Sequence, residues 1–401
     1  MATCFTGGSE LNRIYLDNAA TTPMDPRVFE AMTPYYLKGY GNPSSLHSFG
    51  ADARDAVEGA RAKVAKTLNT RPESIIFTSG GTESNNLALK GIAFANRHEG
   101  RHIITTAIEH DCVLNSCRWL ERQGFDVTYL PVDNYGLVDP VDVHQAIRQD
   151  TILVSVMHAN NEIGTIQPIS EIGTICKDAG VYFHTDACQS FGKVPLNAGD
   201  CDLITLNAHK IYGPKGIGAL YLGDGVHIEA WQHGGGQEDG LRSSTENVPG
   251  IVGFAAAAEL AIESMEAESR RLTAMRDLII DTVPERIGVA YLNGHRTLRL
   301  PNNVNLGFHG YEGEAIKLLL ELDRQGIAVS TGSACSSHTD HASHVLAAVG
   351  LNPLEARGAL RISPGRFNTA EEIEHLLDVL PSAVGSLKSI SSLKFGGHLY
   401  G

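Results

Sequence analysis

Residues 202–218 read "DLITLNAHKIYGPKGIG". A short apolar run gives way to polar residues, then to a turn rich in glycine. An apolar run bounded in this way is a strand buried on both faces. Lys210, just beyond it, has two readings: a surface charge, or a buried amine held for covalent chemistry, since a desolvated lysine loses its charge readily. Lys215, inside "GPKG", reads as a turn residue. Similar runs stand on either side: "VYFHTDA" (181–187) and "IGALYLG" (217–223) nearby, and "SIIFTSGG" (74–81), "HIITTAI" (102–108), "DVTYLPV" (126–132) and "TILVSVMHA" (151–159) upstream.

Helical patterns lie between them. "ARDAVEGARAKVAKTL" (53–68) spaces Val57, Ala60, Val64 and Leu68 along one helix face, "TESNNLALKGIAFANR" (82–97) follows a strand, and "ISEIGTICKDAG" (169–180) ends at Gly180, a C-terminal cap. Strand–helix alternation of this kind predicts an α/β fold with a mostly parallel sheet covered on both faces. The pattern at 250–283 is one long helix leaving the first lobe. Beyond it, "NNVNLGF" and "GIAVSTG" read as strands, and "GYEGEAIKLLLELDRQG" and "AEEIEHLLDVL" as helices. These predict a smaller α+β domain, completed by the N-terminal segment. The expected boundaries are 17–262 for the large domain, and 1–16 with 263–401 for the small one.

Bulk properties narrow the function classes. A chain of 401 residues is too long for one compact core. Net charge is −14, which argues against nucleic acid as a partner. No run reaches the ~18 apolar residues of a membrane span, and the N-terminus lacks a signal pattern. A cytoplasmic location is the expectation. The seven cysteines include no CxxC pair, so neither a disulfide framework nor a zinc ribbon is expected.

Ligands of open α/β sheets bind beyond the carboxyl ends of the strands. Those ends deliver Gly80, Gly81 and Thr82, where free N–H groups suit a phosphate; His110; Asn160 and Asn161; Asp186 and Gln189; and Lys210. Each has an ordinary reading as a cap, a turn or a solvated group. An acid such as Asp186, ending an apolar strand, requires a cationic partner: a side chain, a metal or a bound cation. Together, the phosphate cradle, imidazole, carboxylate and lysine match what pyridoxal phosphate needs.

"YLDNAATTP", "GNPSSLHSFG", "FTSGGTESNN", "IEHDCV", "HANNEIGTIQPI", "HTDACQSFGKVP", "AHKIYGPKGIGALY", "GGGQEDGLRSST", "STGSACSS" and "LRISPGRFNT" carry a further signal. From about residue 14 to 385 the chain resembles the cysteine desulfurases of the NifS/IscS type. That resemblance implies the pyridoxal-phosphate transferase fold of type I, with a seven-stranded sheet in the large domain, working as a homodimer. It implies conversion of L-cysteine to L-alanine, leaving a persulfide on Cys335 for an acceptor such as an iron–sulfur scaffold protein. It implies Lys210 as the amine that binds the cofactor aldehyde, Asp186 at the pyridine nitrogen and Gln189 at the ring hydroxyl. His110 would stack on the ring as acid and base. Gly81, Thr82, Asn207 and His209 would hold the phosphate, with Thr245 arriving from the second subunit. Asn161 and Arg361 would bind the substrate.

Cys335 lies in "VSTGSACSSHTD" (329–340), whose small polar residues suit a thiol that must visit both the cofactor and an acceptor. Three departures from the family pattern stand out. Asn207 replaces a small hydroxyl residue, and Cys188 stands between Asp186 and Gln189. Ser244 replaces a glycine, which strains the backbone if that position needs positive φ. Cys335, His338, His341 and His344 recur every third residue; the expectation is a solvated loop with incidental histidines and no metal, and the alternative is a metal or cluster held by these four. The alternative functions are a selenocysteine lyase of the same fold, and a non-catalytic scaffold holding a metal or cluster through Cys335.

Overall fold

The computed structural model describes residues 13–332 and 342–395. The chain opens with β1 (Ile14–Tyr15), α1 (Pro26–Leu37) and α2 (Ser48–Thr67). An alternating stretch follows: β2 (Ile75–Thr78), α3 (Gly81–Ala95), β3 (His102–Thr106), α4 (Asp111–Arg122), β4 (Asp126–Leu130), α5 (Pro140–Ala146), β5 (Thr151–Ser155), α6 (Ile169–Ala179), β6 (Tyr182–Asp186), β7 (Leu203–Asn207) and β8 (Gly218–Leu222). β2 to β8 form one seven-stranded sheet in the order β2-β8-β7-β6-β5-β3-β4. β8 is antiparallel to both its neighbours, and the remaining pairs are parallel.

Alternation along each strand explains why both faces are covered. Ile103, Leu153 and Leu203 pack under α3 and α4 with Leu87, Ile92, Val113 and Leu120. Their chain neighbours Ile104, Val154 and Ile204 point to the other face, where Val57, Val64, Phe254 and Ala257 meet them. Each such buried aliphatic side chain contributes about 1.5–3 kcal/mol. α6 ends as its sequence predicts, with Gly180 in the left-handed region at φ 66°.

α7 (Val248–Arg286) leaves this lobe. Its first turns pack in the large core through Phe254, Ala257 and Ala261, and its last through Leu272, Ile279 and Val283 in a second one. By length and composition this helix is apolar enough to cross a membrane, although no continuous apolar run marks it in the sequence. Half of that window is buried within the protein, as in a core helix.

The second core lies among β9 (Ala290–Asn293), β10 (Val304–Phe308), α8 (Ala315–Arg324), β11 (Ile327–Ala328), β12 (Leu360–Ile362) and α11 (Ala370–Phe395), whereas α9 (His344–Ala348) and α10 (Pro353–Arg357) pack Val345, Leu346 and Ala356 against Ile108, Met157 and Ile163. β12, β10 and β9 form an antiparallel sheet, and β1 pairs in parallel with β11. The N-terminal strand therefore packs beside a C-terminal one, and Leu16 is buried with Leu306, Ile327 and Ile362. On the outer side of α3, Lys90 places its Nζ 4.5 Å from the ring centre of Trp119 and 3.9 Å from that of Trp231.

Candidate active site

The carboxyl ends of the sheet strands and the β12 region converge on one pocket, lined by His110, Asn161, Lys210 and Arg361 together with Glu162, Gly332 and His344. Four residues expected from separate motifs thus meet. β6 carries Asp186 to the strand end, where it is buried. Its carboxylate accepts hydrogen bonds from Asn85 Nδ2 (2.7 Å) and from the backbone N–H of Cys188 (2.9 Å). Asp186 forms no ion pair among the described residues, so the cation its burial calls for is not a neighbouring side chain.

His110 caps α4: its Nδ1 accepts the backbone N–H of Cys112 (3.2 Å) and lies 3.1 Å from Cys112 Sγ. With Nδ1 engaged as an acceptor, the ring proton of neutral His110 sits on Nε2. Burial and the nearby Lys210 ammonium lower its pKa. Behind it, Glu109 accepts from Thr106 Oγ1 (2.8 Å) and the Met157 N–H (2.9 Å). Burial pushes the Glu109 carboxyl up to about 8. His209 lies 3.2 Å from Thr21 Oγ1, and burial beside Lys210 lowers it to about 4.

The phosphate-binding candidates lie where β2 turns into α3. No side chain caps this helix, leaving its first N–H groups open to a ligand. Gly81 is required by close packing, since a Cβ there would stand 2.5 Å from Cys188 Sγ. Asn207 Nδ2 is 3.7 Å from the same point, and Asn207 Oδ1 is buried without a partner. Thr82 is exposed. Cys188 is buried, and that burial holds its thiol protonated, which suits packing rather than sulfur chemistry. Gln189 Nε2 donates to the Ala19 carbonyl (3.0 Å). Thr245 is exposed and does not line this pocket; the preceding Ser244 has φ 148°, the strained value anticipated at that position.

The residues expected to meet the substrate come from distant parts of the chain. Arg361, on β12, is 2% exposed. Its Nη2 donates to Asp17 Oδ1 (2.8 Å), and its Nη1 to the carbonyls of Asn161 (2.9 Å) and Gly332 (2.8 Å). Its Nε is buried without a partner. The two adjacent amides separate cleanly. Asn160 is engaged structurally, accepting the N–H groups of Glu162 (2.8 Å) and Ile163 (3.0 Å) in its own turn and donating to the distant Ile108 carbonyl (2.9 Å). Asn161 faces the pocket. Glu162 accepts from Ser343 Oγ (2.6 Å), and burial raises its pKa.

His344 Nε2 lies 2.8 Å from the Glu109 carbonyl. Cys335, His338 and His341 lie outside the described residues, so this histidine is the one described member of the candidate metal set. Among the described residues no cluster is arranged to hold a metal. Sequence reasoning missed Asn85, Glu109, Glu162 and Asp17. Asn85 was within reach, since it stands four residues after Gly81 on the same helix face. The other acids are identified by partners far away in the sequence.

The model of the family described as aminotransferase class-V matches residues 14–376. The chain belongs to the class-V aminotransferase family. Class-V aminotransferases are pyridoxal-phosphate enzymes. Among curated members, the cysteine desulfurase IscS of Dictyoglomus turgidum is 52% identical over 384 residues, covering 95% of this chain and 97% of its own. That of Methanosarcina thermophila is 51% identical over 387 residues, covering 96% and 95%. Among solved structures, a NifS-like protein superposes with a TM-score of 0.87 at 40% identity, covering 93% of this chain and 99% of its own. A structure described as SspA in complex with cysteine gives 0.77 at 39% identity, covering 89% and 100%.

The pocket suits the family's cofactor. Asp186 lacks a cation that a protonated pyridine nitrogen would supply. The uncapped end of α3 suits a phosphate, and Lys210 lines the pocket shared with His110 and Arg361.

Proposed function

We propose that this protein is a pyridoxal-phosphate-dependent cysteine desulfurase, which takes sulfur from L-cysteine, releases L-alanine and carries the sulfur as a persulfide on Cys335. The observation that supports this most is the convergence of Lys210, His110 and Arg361 on one pocket, beside a buried Asp186 that has no cation of its own.

In this reading Gly81, Thr82, Asn207 and His209 hold the cofactor phosphate, Asp186 the pyridine nitrogen, Gln189 the ring hydroxyl and Lys210 the aldehyde carbon. Bound there, the cofactor supplies an electron sink for the substrate's Cα. Asn85 and the Cys188 N–H fix the Asp186 carboxylate in one orientation. Arg361 receives the substrate carboxylate through its unpartnered Nε, while Asp17 and two carbonyls hold the guanidinium in place. Asn161 borders the same substrate. His110 presents its Nε2–H and handles a proton there. The Cys335 thiol attacks the substrate sulfur.

We further propose a homodimer. Phe29, Tyr36, Leu37, Tyr40, Leu46 and Phe49 are all at least half exposed, with Leu46 at 98%. A patch this apolar suits a second copy of the chain, and an exposed Thr245 suits a role across that interface. The domain boundaries we propose remain 17–262 and the remainder: along α7, Ala261 packs in the large core and Leu272 in the second, while α9 and α10 pack back against the large lobe. The acceptor we propose is a scaffold protein for iron–sulfur clusters. The location we propose is the cytoplasm, where the free thiols stay reduced. A selenocysteine lyase would use the same pocket without needing Cys335. A scaffold role would leave Lys210 in this pocket without a task.

The test is incubation of the reconstituted protein with L-cysteine and a reductant. Alanine and sulfide are expected in equal amounts, and without reductant the Cys335 peptide gains the mass of one sulfur atom. Absence of alanine overturns the reading. Unchanged alanine release by Cys335→Ala overturns the assignment of the sulfur carrier. Sedimentation of the purified protein as a monomer overturns the homodimer.

A further inference from the structure

We infer that His344 is a second acid–base residue of this pocket, the one that receives a thiol proton during sulfur transfer; the inference rests on the desulfurase reading above.

Its position comes first. His344 opens α9, directly after Ser343, whose Oγ accepts the Leu346 N–H (3.1 Å) and donates to Glu162 (2.6 Å). The imidazole lines the same pocket as Lys210, His110 and Arg361. It therefore borders the space in which the substrate reacts.

The tautomer follows from its partner. Nε2 lies 2.8 Å from the Glu109 carbonyl oxygen. A carbonyl only accepts, so Nε2 carries the hydrogen and Nδ1 of the neutral ring carries the lone pair. His110 is arranged the other way. Its Nδ1 already accepts the Cys112 N–H, so its free edge is the Nε2–H donor. One histidine of the pocket is a donor and the other an acceptor. The groups around His344 are mixed in charge: Glu109, His110 and Asp111 from the turn into α4, Glu162 beyond β5, Lys210 beyond β7 and Arg361 on β12.

The reaction needs both kinds of edge. L-Cysteine and an enzyme thiol give L-alanine and an enzyme persulfide. The sulfur–sulfur bond forms from the electron pair of the attacking thiolate. The carbon–sulfur bond breaks and its pair stays with Cβ. One proton leaves the attacking thiol and one joins Cβ, so no outside oxidant or reductant is required. A thiol with an ordinary pKa near ~8.5 is mostly protonated at neutral pH and needs a base. His344 Nδ1 supplies it, and the bond from Nε2–H to the Glu109 carbonyl steadies the imidazolium that results.

The test uses the cofactor-loaded full chain. In His344→Gln the side-chain amide keeps a donor within reach of the Glu109 carbonyl but has no basic nitrogen. The expected result is a fall of about 100-fold in kcat for alanine release. KM and the half-saturation of the visible-absorbance change with L-cysteine stay within about threefold of wild type. In His344→Ala, added imidazoles restore turnover, and the restored rate rises with the basicity of the imidazole. Wild-type kcat in His344→Gln overturns the inference, and so does rescue that is indifferent to basicity. Those two failures leave the desulfurase reading standing. A wild-type protein that releases no alanine removes that reading and the inference together.

Discussion

The two halves of the pocket are built differently. The side proposed for the cofactor is a row of strand ends: Asp186 closing β6, Asn207 closing β7, Lys210 just beyond it, and the turn from β2 into α3. Neighbouring ladders fix these positions before any side chain acts. The side proposed for the substrate is assembled across the chain, with Arg361 reaching Asp17, Asn161 and Gly332 from three separate segments. The first half inherits its geometry from the sheet, and the second depends on how the second core docks on the first. Changes in the cofactor half should therefore alter chemistry with little loss of structure. Changes in the substrate half should alter affinity and local packing together.

Lys210→Ala tests the first half most severely. Turnover should fall by ~10³-fold or more, as when a reacting group is removed. Circular dichroism should remain that of the wild type, because no described residue leans on the Lys210 side chain through a hydrogen bond. Loss of folded signal would break the contrast. Arg361→Lys tests the second half. A lysine cannot reproduce the guanidinium fork, and losing charge-assisted bonds worth about 1.5–3 kcal/mol should raise KM for L-cysteine roughly 10- to 100-fold. Cofactor affinity, measured by absorbance titration, should be unchanged. An unchanged KM would remove Arg361 from the substrate side.

Legibility in the sequence followed the same division. Apolar runs ending in a polar residue marked Asp186 and Lys210, because a buried parallel strand reads as a continuous run. The helix at 250–283 and the cap at Gly180 were legible for equally local reasons. β12 was not, since three residues are too few to show a period. The run at 326–332 looked like a full strand, yet only Ile327–Ala328 joins a ladder, and Ser330 makes an isolated bridge to Arg361. The regular histidine spacing reads as incidental to a solvated loop, and nothing in it shows that the ring of His344 is oriented by the carbonyl of Glu109, distant in the chain. Local pattern carries no record of such partners.

Glu109 sharpens the comparison through pH. Burial raises its carboxyl from the ordinary 4.5 to about 8, so between those values the folded protein holds a proton that the unfolded chain releases. Its contribution therefore favours the folded state at the acid end and is lost as pH rises through that window. Glu109→Gln has no such proton. Urea unfolding at several pH values between 5 and 8 should show the variant gaining on wild type as pH rises; parallel curves would mean the carboxyl is ionised throughout. The smallest effect belongs to Ser244→Gly. Relief of the strain at φ 148° should add about 1 kcal/mol in denaturant unfolding. No gain would mean the segment relaxes at no cost.

The clamp of Trp119 and Trp231 on Lys90 has an optical consequence. These are the only two tryptophans of the chain, so its indole emission originates from a single place. That place surrounds Lys90 of α3, which stands about 14 Å along the helix axis from Gly81 at ~1.5 Å per residue. A chromophore seated at the helix start lies close enough to drain the excited state by resonance transfer. The protein thus contains its own gauge of occupancy, readable as quenching without any label.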